Sequence, residues 1–352
     1  MTSSELLLRR THHVLSFILH IYIHTLPPTS PIRIPASLSL PLLRICERLC
    51  LPPVNTYTDN VLYNWSLIEE TKSGLLSLKN LQCQTTFTGT KDEDTFFLSS
   101  TRIELRGVEA LSLMGATMDE AFVGDSIAFR RITTYLNTMA RVIHDMKDLL
   151  LSVQEGCNPT VFYEQIRPWF RGADSDPAKR PWVFEGTEGQ PELEAWTKEL
   201  SGPSAGQSPL IHALDIFLGV NSFTHGRGSL SSLNEKTFLE RMQRYMSRHH
   251  RAFLTHLSTK NPRPLRALVL ASEDAALMEA YNCAVRALKE FRDAHMAMVG
   301  MYILGPARKV TAAQSEERGE ALKGTGGTDL VKFLKGVRDK TARAVMDGGT
   351  ET

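Results

Sequence analysis

The chain is poor in cysteine, in net charge and in long apolar runs, and each shortage excludes a class of protein. Only five cysteines occur in 352 residues: Cys46, Cys50, Cys83, Cys157 and Cys283. An odd count without a CxxC pair excludes a disulfide framework and suits reduced thiols in the cytoplasm. Cys46 and Cys50 could begin a metal site, but no second close pair exists to complete a zinc centre. Lys and Arg number 40 against 39 Asp and Glu, a net charge of +1, so bulk charge draws no nucleic acid to the chain. The one targeting candidate, Val14 to Leu26, is broken by His20 and His24 and is shorter than the ~20 residues of a membrane span. Pro27-Pro28 follow it in place of a cleavage site, so the expectation is a buried helix, with neither secretion nor a span. Nucleophile elbows, HExxH pairs, paired carboxylates and fixed-period repeats are all missing. Gly324 to Thr328 (GTGGT) lacks the lysine of a phosphate-binding loop, which leaves a lid or a plain helix cap.

What is present is helix. Apolar residues make up 42% and charged residues 22% of the chain, an ordinary globular balance. Helical patterns cover residues 5–26, 39–49, 96–114, 125–153, 210–218, 235–257 (with Asn234 as cap) and a stretch opening at Thr328-Asp329. Residues 26–53 are proline-rich, 172–208 read as loops, and 73–90 as a weak hairpin. Ile132, Leu136, Met139, Ile143, Met146, Leu150 and Val153 step by four and three, one seam on a long helix. A second seam runs Leu277, Tyr281, Ala284, Leu288, Phe291, Met298, Tyr302, between a cap at Ser272–Asp274 and a stop at Gly305-Pro306. The expected class is all-α with at most a minor sheet. The expected division is a partial small N-terminal domain (1–90), a large helical domain (91–345) and a disordered tail (346–352).

His295 occupies the second seam between Phe291 and Met298. A lone seam histidine is most often a packed residue bonded to a carbonyl. Arg292 one turn earlier adds a permanent, bidentate cation, which suits an anionic cofactor edge such as a porphyrin propionate. In VFYEQIRPW, Phe162 and Arg167 lie five apart. An aromatic face with a guanidinium can receive an aromatic amino acid, stacking the ring and pairing the carboxylate. A structural Arg167 paired with Glu164 is the competing account. Ser201 to Pro209 (SGPSAGQSP) is a small-residue loop whose glycines let backbone approach a ligand, or an ordinary solvated loop.

Four stretches, SAGQSPLIHALDIFLG, ERMQRYMSRHHRAFL, FRDAHMAMVGMYILGPA and GTGGTDLVKFLK, resemble the indoleamine 2,3-dioxygenase family in wording, order and spacing. The resemblance covers roughly residues 10–340. It implies an all-α haem b enzyme that adds O2 across the indole C2–C3 bond of L-tryptophan, giving N-formyl-L-kynurenine. It implies an electron donor that keeps iron ferrous. By resemblance His295 is the proximal iron ligand, and Arg292 binds a haem propionate while pairing with Asp215. Phe162 and Arg167 bind substrate, Ser100 is the distal serine, and Tyr57 lines the pocket. Ser204, Ala205 and Gly206 pass over the haem, and Thr325 sits on a closing lid. The N-terminal region is shorter than is usual in the family. The alternatives are a non-enzymatic haem protein of the same fold that binds or stores O2, and a haem-free helical scaffold.

Overall fold

The computed structural model describes residues 4–70, 76–220, 238–259, 264–313 and 330–346. The major elements are α1 (Glu5–Thr25), α2 (Ala36–Leu49), α3 (Lys91–Arg106), α4 (Val108–Val123), α5 (Ser126–Leu151), α6 (Pro209–Phe217), α7 (Arg248–Thr259), α8 (Ala275–Val299), α9 (Gly305–Ala313) and α10 (Leu330–Arg343). The fold is all-α with two minor sheets. β1 (Ile32–Ile34) pairs in parallel with β4 (Trp182–Phe184), and β2 (Trp65–Leu67) pairs antiparallel with β3 (Leu81–Cys83). The hairpin expected over 73–90 thus begins further upstream, with only β3 inside that range.

The two seams meet. Asp125 caps α5 by accepting from the backbone of Ile127 and Ala128, and Asp274 caps α8 in the same way. Ile132, Leu136, Met139, Ile143 and Met146 of α5 share one core with Leu277, Tyr281, Ala284, Leu288 and Phe291 of α8. Each fully buried Leu or Ile contributes roughly 1.5–3 kcal/mol, so this pair of helices is the frame on which the site is built. A second core joins Leu19 and Ile23 of α1, Ile32, and Leu42 and Leu43 of α2 to Trp182, Phe184, Leu200 and Tyr245. Residues from mid-chain therefore close the N-terminal layer. Among the described residues no helix is long and apolar enough to cross a membrane.

Three expected boundaries move. The helix expected over 96–114 breaks at Gly107, where an added Cβ would lie 2.1 Å from a Leu210 methyl; α3 and α4 turn around that close approach. The helix expected over 235–257 is interrupted. Residues 243–245 form a 3₁₀ turn, Met246 is extended (φ −90°, ψ 154°) and α7 begins afresh at Arg248. Its proposed cap, Asn234, lies outside the described residues. The Gly305-Pro306 stop is not a stop. The chain passes through a π-turn over Gly300–Leu304 into α9, where Pro306 occupies a first-turn position that needs no N–H partner. The start expected at Thr328-Asp329 also lies outside the described residues.

Candidate active site

Three π-turns interrupt the helical scaffold among the described residues: Thr58–Leu62, Phe162–Ile166 and Gly300–Leu304. All three give side chains to one cavity of about 300 Å³. π-Turns close i→i+5 hydrogen bonds and concentrate at functional sites. The second explains how Phe162 and Arg167 act together. On an α-helix, residues five apart stand about 140° apart around the axis. Here the Arg167 N–H bonds to the Phe162 carbonyl, so the wider turn brings both side chains to the same cavity.

Tyr57, Ser100, Phe162, Arg167, Ser204, Ala205, Gly206, Asp215, Arg292 and His295 all line that cavity. Thr325 lies outside the described residues. The walls are mostly apolar, with Phe96, Phe170, Phe291, Met298 and Val299 among them. Phe162 packs on Phe96 with ring centroids 4.4 Å apart and meets Tyr302 edge-on at 5.7 Å.

His295 sits half-buried on α8 at the cavity wall and makes no hydrogen bond to any described residue. Burial, and then the Arg292 charge, lower its pKa to about 4. The imidazole is therefore neutral at neutral pH, the form that offers a lone pair to a metal. Among the described residues no three His, Cys, Asp or Glu cluster as a metal cage. One imidazole facing an apolar cavity fits a metal whose other ligands come from a macrocycle.

Arg292 is held rigidly one turn before it. Its Nη2 donates to both Asp215 oxygens at 2.6 and 2.7 Å, and its Nη1 donates to Thr341 Oγ1 on α10. A guanidinium has five N–H donors. These three bonds leave two, on a cation at the cavity wall, which fits the carboxylate edge of a porphyrin. Arg167 is also buried. Desolvation, and then the nearby Arg171 charge, lower its pKa, while the Tyr163 ring lies 5.4 Å from its guanidinium. A cation placed this way is strongly stabilised by an incoming carboxylate.

Several positioning groups have little sequence signal. Gln207 accepts from the Tyr57 N–H at 2.9 Å and donates to the Gly202 carbonyl at 2.9 Å, tying the SAGQ loop to the first π-turn. His212 Nε2 donates to the Gly206 carbonyl (2.9 Å) and its Nδ1 accepts from the Gln243 amide (3.3 Å). Burial lowers its pKa, consistent with the neutral tautomer this pattern needs. Both residues fall inside the quoted SAGQSPLIHALDIFLG wording, the only clue to them. Glu104, one turn after Ser100 on α3, accepts from Tyr57 Oη at 2.9 Å and Ser208 Oγ at 2.5 Å. Burial pushes its carboxyl up to about 7 against the opposing pull of Ser208 and Tyr57. Gly202 and Gly172 cross so closely that a Cβ on Gly202 would lie 1.8 Å from the Phe170 carbonyl.

The indoleamine 2,3-dioxygenase family model matches residues 1–344. The chain belongs to the indoleamine 2,3-dioxygenase family. It is 32% identical over 360 residues to the indoleamine 2,3-dioxygenase of Saccharomyces cerevisiae, covering 95% of this chain and 77% of that protein. It is 30% identical to human indoleamine 2,3-dioxygenase 2, covering 96% and 79%. It is also 30% identical to the 6-hydroxytryptophan 2,3-dioxygenase fscD of Fusarium equiseti, covering 96% and 81%. Around one apolar cavity the chain places a neutral histidine, a clamped arginine and a second arginine beside an aromatic ring.

Proposed function

We propose that the chain binds haem b through His295 and catalyses the O2-dependent opening of the indole C2–C3 bond of L-tryptophan to N-formyl-L-kynurenine. The observation that carries this reading is the shared cavity: the His295 imidazole and the Arg167–Phe162 pair line the same apolar space. Haem iron, when bound, supplies the O2 chemistry that no side chain here can perform. The chain's own part is binding and orientation. Arg167 pairs with the substrate carboxylate and Phe162 packs against the indole. Arg292, fixed by Asp215, neutralises a propionate. Ser204, Ala205 and Gly206 form the loop over the substrate side.

Water exclusion follows from the wall composition, and holding the reactants in place is worth far more than a proton transfer in such a site. Neither Phe96–Ser100 nor Val161–Trp169 supplies a histidine that could act as an acid or base beside the substrate. An external electron donor is required to keep the iron ferrous. We assign the protein to the cytoplasm from its five free cysteines. A protein that only stored O2 would have no use for a buried guanidinium beside an aromatic ring in the ligand cavity. The test is formation of N-formylkynurenine by the haem-loaded chain with ascorbate and methylene blue. Product from L-tryptophan supports the reading; a haem-loaded protein without product refutes it.

A further inference from the structure

The segment that carries Arg167 has two faces. Arg167 and Phe170 line the cavity described above. Pro168, Trp169 and Arg171 line a separate cleft of about 480 Å³, whose other walls include the end of α1. Two hydrogen bonds pin the segment to that helix. His20 Nδ1 donates to the Trp169 carbonyl at 2.8 Å, and His24 Nε2 donates to the Arg171 carbonyl at 3.0 Å.

The charges of this cleft are not balanced. Arg180 is already committed: its Nε donates to Asp176 Oδ2 at 2.9 Å, and its Nη1 to the Pro27 and Ser30 carbonyls at 3.3 Å. Asp176 is committed to Arg180 and to the Ala178 N–H. Burial lowers the His24 pKa to about 4, so the imidazole is neutral at neutral pH. Arg171 is half-buried, and its guanidinium makes no hydrogen bond or ion pair to a described residue, the exposed Glu164 of the same cleft included. Around it the walls are apolar, with Ile23, Leu26, Pro168 and Pro177, and the Trp169 ring is backed by Phe87 stacked at 5.7 Å. A guanidinium binds a carboxylate bidentately, and flat apolar walls take an aromatic ring.

Arg171 also acts on the neighbouring cavity. After desolvation, its charge is the next cause that lowers the Arg167 pKa. The two cations therefore add their fields at a carboxylate bound to Arg167. An anion seated on Arg171 cancels its share, and by linkage each ligand weakens the other by the same factor.

We propose that this outer cleft is a second ligand site, which takes a small aromatic carboxylate on Arg171 and Trp169 and thereby weakens L-tryptophan in the haem cavity. The weakening rests on the proposed function, because it takes Arg167 to hold the tryptophan carboxylate; the site itself does not.

The test is calorimetric titration of the haem-loaded full chain, without O2, with 2-naphthoate, alone and with L-tryptophan at saturation. Naphthoate is expected to bind one-to-one in both cases. Arg171→Gln, and Ala178→Glu, which brings a competing carboxylate to the cleft, should each weaken it about tenfold or more. Saturating naphthoate should raise the Kd of L-tryptophan about threefold, and the effect should vanish in Arg171→Gln. Two variants guard against one that fails to fold. No naphthoate binding in the unaltered chain, or binding unchanged in the folded variants, overturns the site. Displacement of naphthoate in proportion to added tryptophan overturns it too, because that places the probe in the haem cavity. Naphthoate binding that leaves the tryptophan Kd unchanged overturns the coupling. A chain that binds naphthoate but no tryptophan refutes the parent reading, and the coupling with it, while the cleft stands.

Discussion

Two arginines on the cavity wall are chemically alike but stand in different surroundings. Arg292 spends three donors on Asp215 and Thr341, so its role is fixed in the protein before any ligand arrives. Arg167 is buried against like charge from Arg171. Removing it should cost what a desolvated charge pair typically costs on truncation. Arg167→Ala is expected to raise the KM for L-tryptophan by about a hundredfold with the Soret band retained; steady-state kinetics with a haem spectrum decides it. His295→Ala should give a folded chain that holds no stable haem, read as loss of the Soret band with an unchanged far-ultraviolet dichroism spectrum. Sequence alone left His295 between a packed residue and a ligand, because spacing cannot show whether a seam histidine finds a carbonyl. In the structure the imidazole meets a cavity and has no hydrogen bond to a described residue, which fits the ligand reading.

Single elements carry the next set of expectations. The α5 and α8 seams were legible because period and burial agree over many turns, and Leu136→Ala should cost about 2–5 kcal/mol in a denaturant titration. The π-turns were not legible. They depend on one inserted residue in a backbone ladder, for which composition gives no period, and so Phe162 and Arg167 read as merely five apart. The Gly202–Gly172 crossing was equally silent. Gly202→Ala would place a methyl against the Phe170 carbonyl and should destabilise by about 1–3 kcal/mol. Its larger effect should be on KM, since the SAGQ loop and the Arg167 turn would separate.

α1 adds a pH dependence. His20 donates from Nδ1 to the Trp169 carbonyl and accepts at Nε2 from the Asn55 N–H, while His24 bonds to the Arg171 carbonyl. Burial lowers His20 to about 3 and His24 to about 4. The unfolded chain takes up these protons first, so the stability they contribute is intact above pH 6.5 and is lost as pH falls toward 4. Glu104 opposes this, since its raised carboxyl favours the folded state as pH falls from about 7, but two histidines outweigh one carboxyl. His12 is held protonated between Asp59 and the Pro52 carbonyl, and its contribution is already complete below pH 6.5. His295, lowered to about 4, adds to the loss, so a net fall in stability of roughly a few kcal/mol between pH 6.5 and 4 is expected in chemical denaturation. His20→Gln should flatten that slope; a slope unchanged by it would contradict the assignment.

At the scale of the whole molecule, the helix class and the four family stretches were visible in the sequence because they lie on long amphipathic elements and on loops of distinctive wording. The closure of the N-terminal layer by residues 182–200 and 242–245 was not, since parallel pairing of Ile32 with Trp182 joins segments 150 residues apart and leaves no local pattern. That layer positions Tyr57, and through Gln207 it positions the SAGQ loop, so the pocket depends on parts of the chain far from α8. The claim that ties these parts together is that one cavity holds both the haem and the amino acid. The most direct test is to follow the Soret band of the haem-loaded chain, without O2, while L-tryptophan is added. The account predicts a saturable perturbation in the unaltered chain that disappears in Arg167→Ala; a Soret band indifferent to saturating L-tryptophan in the unaltered chain would contradict it.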